Sequence, residues 1–188
     1  MFRPICMKVL LVFVIATFCV VSESQAQLSI GATYENKQNA STNGMASNGF
    51  GIQLERDMSF PIPLIFLRTR AHYSYFTDSN RPSLEGVQFD QVSSYDFGVG
   101  AILGANIALF SPYAGFGVGL EDYSRSGGDI ENYTPNENEF YYQVMGGVGL
   151  NVLPIIQPFI ELRYSGFNNR DEIADSQKRL MFGVALRF

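Results

Sequence analysis

This sequence predicts an all-β fold, an eight-stranded antiparallel up-and-down transmembrane β-barrel, and three observations predict it. Apolar and polar residues alternate with period two over eight stretches. That is strand spacing, because successive side chains point to opposite faces. The connections between stretches switch regularly between long polar segments and short apolar turns, the layout of barrels that cross a membrane with strands. Finally, one face of the alternation gathers glycine and charge while the other is apolar and aromatic.

The stretches follow in order. LSIGATYENK (28–37) puts Leu28, Ile30, Ala32 and Tyr34 on one face and Gly31, Thr33 and Glu35 on the other. NGFGIQLER (48–56) sets Phe50, Ile52 and Leu54 against Gly51, Gln53 and Glu55. LIFLRTRAHYSYF (64–76) sets Leu67, Thr69, Ala71, Tyr73 and Tyr75 against Arg68, Arg70, His72 and Ser74. SSYDFGVGAILG (93–104) sets Tyr95, Phe97, Val99, Ala101 and Leu103 against Asp96, Gly98 and Gly100.

The second half repeats the design. PYAGFGVGLEDY (112–123) has Ala114, Phe116, Val118 and Leu120 opposite Gly115, Gly117, Gly119 and Glu121. EFYYQVMGGVGLN (139–151) has Phe140, Tyr142, Val144, Val148 and Leu150 opposite Tyr141, Gln143, Gly147 and Gly149. QPFIELRYSGF (157–167) has Ile160, Leu162 and Tyr164 opposite Glu161, Arg163 and Ser165. LMFGVALRF (180–188) closes the series, with Leu180, Phe182, Val184, Leu186 and Phe188 apart from Met181, Gly183, Ala185 and Arg187.

Long polar connections near 38–47, 77–91, 124–138 and 168–177 follow the odd stretches, and DMSFPIP, ANIALFS and VLPII follow three of the even ones. Proline respects the plan, with Pro61, Pro63 and Pro154 in turns and Pro112 and Pro158 at strand starts, where a missing N–H is tolerated.

Alternation alone does not say which face is inside. A soluble barrel would keep an apolar cavity and a polar exterior. Glycine decides the matter, because a solvated exterior gains nothing from a residue that weakens strands. A narrow lumen does gain, since long side chains from other strands need room to lie across it. Those side chains share the glycine face: Glu35, Glu55, Asp96, Glu121 and Glu161, with Lys37, Arg68, Arg70, Arg163, Arg179 and Arg187. The balance of signs suits a paired charge network inside a closed tube. Aromatic residues on the other face (Tyr34, Tyr73, Tyr75, Tyr95, Phe116, Phe140, Tyr142, Tyr164, Phe182 and Phe188) suit the girdles of a membrane interface.

Ahead of the barrel lies a different kind of segment. Arg3 and Lys8 precede thirteen mostly apolar residues, VLLVFVIATFCVV (9–21), and SESQA follows with small residues at Ser24 and Ala26. This pattern predicts a secretory signal peptide over 1–26, too short to span a bilayer as a helix. The exported domain is then 27–188. It holds neither Cys6 nor Cys19, so no disulfide, thiolate metal site or cysteine nucleophile is expected. Without Arg3, Lys8 and Glu23, 11 basic and 17 acidic residues remain, a net charge of −6. This balance disfavours nucleic acid as a partner.

The ending FGVALRF, the segment PYAGFGVGLE and the eight-stretch layout resemble the small outer-membrane β-barrels of the OmpA/OmpX type, over essentially all of 27–188. The resemblance implies residence in the outer membrane of a Gram-negative bacterium, surrounded by outer-membrane lipid and lipopolysaccharide. It also implies that the barrel-assembly machinery reads Phe182, Val184, Leu186 and Phe188 as an assembly signal. The role it implies is structural or adhesive, with an extracellular ligand met by the long loops, no cofactor and no catalysis.

Residues of the chain also suggest other chemistries. AHYSYF carries His72 and Ser74, and a His-x-Ser pair resembles the motif of outer-membrane lipid A deacylases, with Glu85 as third member. Histidine would activate serine as general base. Their parity with Arg68 and Arg70 places both in the lumen, whereas a lipid hydrolase needs them toward lipid. The loops are acidic, with Asp78, Glu85, Asp90, Asp129, Glu131, Glu137, Asp171, Glu172 and Asp175. Such carboxylates can take divalent cations that bridge lipopolysaccharide phosphates, but their spacing matches no calcium loop, so no metal site is expected. A narrow solute channel is the third, and the charged lumen disfavours it because side chains fill an eight-stranded barrel. GFGVGLE lacks the following helix that a nucleotide-binding loop requires.

Overall fold

A computed structural model describes residues 27–38, 46–58, 61–62, 64–78, 83–84, 87–88, 91–126, 137–167 and 176–188. Eight strands make the barrel: β1 (Leu28–Lys37), β2 (Asn48–Met58), β3 (Ile65–Asp78), β4 (Gln91–Ala105), β5 (Phe110–Ser126), β6 (Glu137–Leu150), β7 (Ile156–Phe167) and β8 (Ser176–Arg187). Each pairs antiparallel with its neighbours in sequence, and β8 closes on β1, so the ring has no edge. This is the up-and-down closure expected from the alternation. Closure matters because a sheet edge in hydrocarbon would leave backbone N–H and C=O groups without partners.

The strand register fixes the tilt. A path perpendicular to the strands leaves β1 at Lys37 and passes Arg179, Arg163, Met145, Gly115, Ile102, Arg68 and Asp57. It returns to β1 where the Asp57 amide donates to the carbonyl of Gln27 at 2.9 Å. The stagger is therefore 10 residues, from 37 back to 27. With ordinary strand rise and spacing, this tilts the strands by about 40° to the barrel axis.

Several strands run past the bounds that hydrophobic alternation gave. β5 starts at Phe110 and reaches Ser126, and β8 starts at Ser176 rather than Leu180. Backbone pairing continues through polar residues once a neighbour is in place, while the sequence pattern stops where the outward apolar residues stop. Within the second long connection, Ser83–Leu84 pairs with Val87–Gln88 as a short ladder. Between β4 and β5 the chain reverses over Ala108 and Leu109, closed by reciprocal backbone bonds between Ile107 and Phe110 at 2.7 and 2.9 Å. Ala108 holds φ at 50°, a conformation more natural for glycine.

Candidate functional site

The distribution of side chains across the wall is the reverse of a soluble protein's. Charged, amide and hydroxyl side chains fill the interior, among them Glu35, Lys37, Glu55, Arg70, Gln143, Glu161, Arg163 and Arg179. Large apolar and aromatic side chains project outward on every strand, with Phe50 71% and Phe116 69% exposed. The alternation of β1, β2 and β7 is near perfect in burial, outward and inward by turns. Phe182, Val184, Leu186 and Phe188 all face outward, as the sequence reading placed them.

Charged side chains on the inward face of the strands are buried, Arg187 only by half. Three ion pairs cross the lumen between strands that lie four apart in a ring of eight, and so face each other across the diameter. Lys37 on β1 reaches Glu121 on β5. Arg179 on β8 reaches Asp96 on β4 at 2.5 Å, and Arg70 on β3 reaches Glu161 on β7 at 2.5 Å. Lateral bonds tie these spans together. Arg179 also meets Glu35 at 3.1 Å, and Arg70 also meets Glu55 at 2.5 Å. Arg163 donates through Nε to Glu161 at 2.6 Å, while its Nη1 and Nη2 find no acceptor among the described residues. Arg68 joins Glu55 at 3.5 Å and also pairs with Asp57. Arg187 is half-buried near the short-turn end and donates to Gln157.

The pairs leave no wide passage. A space near Arg70, Tyr113 and Gln157 measures about 10 Å³, room for one water molecule. Glycine makes the crossing geometrically feasible. A Cβ on Gly98 would lie 2.7 Å from the Tyr141 hydroxyl and 2.9 Å from His72 Nε2, closer than real Cβ contacts allow. The two rings lie over that bare patch of wall.

Sequence reasoning missed some of the network. Asp57 reads in sequence as the start of the turn DMSFPIP, yet it lies on β2 and pairs with Arg68. Tyr113 donates to Glu161 at 2.7 Å, and Glu139 is buried. Parity would have found Tyr113 and Glu139, which share the inward face with Gly115 and Tyr141.

The His72–Ser74 pair does not form a catalytic dyad. Both side chains are buried in the lumen. His72 Nε2 lies 3.1 Å from the Tyr141 hydroxyl and 3.6 Å from Asp96, while Ser74 donates to Glu35 at 2.8 Å. Histidine and serine are thus engaged with different partners, and both point away from the exposed apolar face of β3. Glu85 lies outside the described residues, as do Asp90, Asp129, Glu131, Asp171, Glu172 and Asp175. Asp78 ends β3 and Glu137 begins β6. Among the described residues, no three His, Cys, Asp or Glu side chains gather so as to hold a metal ion.

No family model and no curated protein sequence matches this chain. Solved structures do. Neisserial surface protein A matches with a TM-score of 0.58 at 17% identity, covering 88% of this chain and 98% of that one. Ail, the attachment invasion locus protein of Yersinia pestis, solved in complex with the heparin analogue sucrose octasulfate, matches at 0.57 and 15% identity, over 88% and 100%. The N-terminal β-barrel domain of Pseudomonas aeruginosa OprF matches at 0.55 and 14% identity, again over 88% and 100%. At such identities the likeness is one of fold, and the chain has the fold of small eight-stranded outer-membrane β-barrels.

Proposed function

We propose that this chain is an integral outer-membrane barrel of a Gram-negative bacterium, exported by the segment 1–26, with a structural and surface-binding role carried by its long loops. One observation carries the reading: the molecule buries its charges and exposes its apolar side chains. Soluble monomers rarely expose contiguous apolar patches beyond a few hundred Å², and here the whole outer wall is of that kind. Hydrocarbon is the solvent that such a wall fits, and a closed strand ring satisfies its backbone there. Long connections would then face the exterior and short turns the periplasm. Phe182, Val184, Leu186 and Phe188 would be the residues that the insertion machinery meets.

The three spans across the lumen support a plug rather than a diffusion pore, which leaves the loops as the place for a ligand. Ail was solved with the heparin analogue sucrose octasulfate, but the net charge of −6 over residues 27–188, 11 basic against 17 acidic, does not favour that partner here. The acidic loops suit a neutral or cationic surface, or an anionic one bridged by divalent ions. A lipid A hydrolase would need His72 and Ser74 on the outer face, so lipid A from cells with and without the protein should carry identical acyl chains.

The test is gel mobility of the chain refolded into detergent micelles, boiled and unboiled. A closed membrane barrel resists the detergent unboiled and shifts on heating. A monomer that dissolves in plain buffer and shows no shift would sink the reading.

A further inference from the structure

The lipid-facing wall is not uniform. On β6, β7 and β8 it carries a groove of about 470 Å³. Gly146 creates its lower part. This glycine points outward between Ala114 and Leu162, and a Cβ built on it would meet nothing nearer than a carbonyl oxygen at 3.8 Å. Val144, Leu162 and Tyr164 line the sides, and the exposed Lys178 and Gln38 stand at the end nearest the long loops. Lys178, Tyr164 and Val144 are cross-strand neighbours in one row, and Gly146 lies two residues farther along β6 toward the short turns. From strand spacing and rise, the path from Lys178 to Gly146 is roughly 12 Å. This is most of the ~15 Å of hydrocarbon in one leaflet. The groove therefore has an apolar trough of acyl-chain length with an ammonium group at its headgroup end.

We propose that this groove seats one saturated acyl chain of a phosphate-bearing lipid in the leaflet on the long-loop side, with Lys178 pairing its phosphate. The inference rests on the membrane reading above, because only a barrel in lipid presents this wall to acyl chains. A smooth wall of branched side chains would offer each passing chain equal contact. A trough one side chain deep surrounds a chain on three sides and multiplies its dispersion contacts. An ammonium at interface depth adds a charge-assisted bond to phosphate.

Native mass spectrometry of the full chain, refolded in micelles with substoichiometric lipid A, tests this, with diacylglycerol, which has acyl chains but no phosphate, as the uncharged competitor. Two variants separate the parts. Gly146→Leu fills the trough at a position with open space around it, and Lys178→Gln removes the charge on an exposed residue, so neither perturbs the barrel. The wild type should retain one lipid A. Gly146→Leu should lower retention of both lipids, and Lys178→Gln only that of lipid A, each by about tenfold. Equal retention by all three proteins overturns the proposal, as does a dimer cross-linked through this face. Heat-shift mobility, run on the same samples, tells the failures apart. No retention with an intact shift refutes the groove alone, and no shift refutes the groove together with the membrane reading.

Discussion

Replacing Arg70 with methionine is the sharpest probe of how the lumen is held. Its guanidinium lies between Glu55 on β2 and Glu161 on β7, at 2.5 Å from each, with a second bond from Nε to Glu55 at 2.7 Å. Removing one partner of a buried ion pair typically costs about 3–5 kcal/mol, chiefly because the other charge stays buried and uncompensated. The two carboxylates do not suffer equally. Glu161 keeps Arg163 at 2.6 Å and the Tyr113 hydroxyl at 2.7 Å. Among the described residues, Glu55 keeps only distant donors, Arg68 at 3.5 Å, Ser29 at 3.4 Å and Gln53 at 3.3 Å. Arg70→Met should therefore lose about 3 kcal/mol, the low end of that range, and most of the loss should trace to Glu55. Adding Glu55→Gln to Arg70→Met should recover more than half of the loss, and adding Glu161→Gln much less. The chain has no tryptophan, so the folded fraction is best followed by heat-shift gel mobility across a urea series. For a urea slope of about 1–3 kcal/mol per molar, the midpoint should fall by roughly 1–3 M. A loss under about 1 kcal/mol, the value of solvent-exposed pairs, would mean that water screens the lumen charges and refute the reasoning. Equal rescue by the two glutamine substitutions would refute the assignment to Glu55.

Three further outcomes follow from the geometry. Ala108→Gly should stabilise the barrel by about 1 kcal/mol in the same urea series, because alanine holds φ at 50° in the β4–β5 turn and glycine adopts that conformation without the Cβ clash. Gly98→Val should destabilise by about 1–3 kcal/mol by pushing the Tyr141 and His72 rings off the wall, while the outward Gly146→Ala stays neutral; similar losses from both would contradict the inward–outward assignment. In planar bilayers the wild type should carry no steady current. The double substitution Arg70→Ala and Arg179→Ala should open small cation-preferring steps, since it leaves Glu55, Glu161, Glu35 and Asp96 facing a widened lumen; anion preference would contradict that placement.

The fold was legible because a barrel writes itself locally. Each strand needs only its own period-two pattern, and every pairing in the ring except the β1–β8 seam joins neighbours in sequence. Parity therefore placed Glu35, Arg70, Asp96 and Arg179 inside without any knowledge of partners. Partners were not legible. That Arg179 meets Asp96 and Arg70 meets Glu161 depends on which strands face each other across the diameter, and thus on the stagger of the ring. No single strand records that stagger. Asp57 was missed for a related reason: it ends an apolar run and reads as the start of a turn, whereas pairing with Arg68 on β3 extends the strand past it. The groove on the outer wall was illegible too, since an outward glycine looks like any other until three strands lie side by side.

The spans across the lumen also bear on why one ring forms rather than a slipped one. In the membrane setting proposed above, lipid would reward any register that keeps apolar residues outside, and a slip of two residues at the β1–β8 seam preserves that alternation completely. Hydrophobic burial is thus nearly blind to such a slip. The charges are not. Sliding β1 by two residues against β8 moves Glu35 about 7 Å along the strand from Arg179, and it carries Lys37 the same distance away from Glu121. Two of the contacts that now hold β1 in place would open together, leaving buried charges without their partners. Buried ion pairs are weak sources of net stability, but their penalty for misregister is large and falls on every wrong alternative. In this chain the lumen charges choose the stagger of 10 residues from among the registers that the apolar wall would accept.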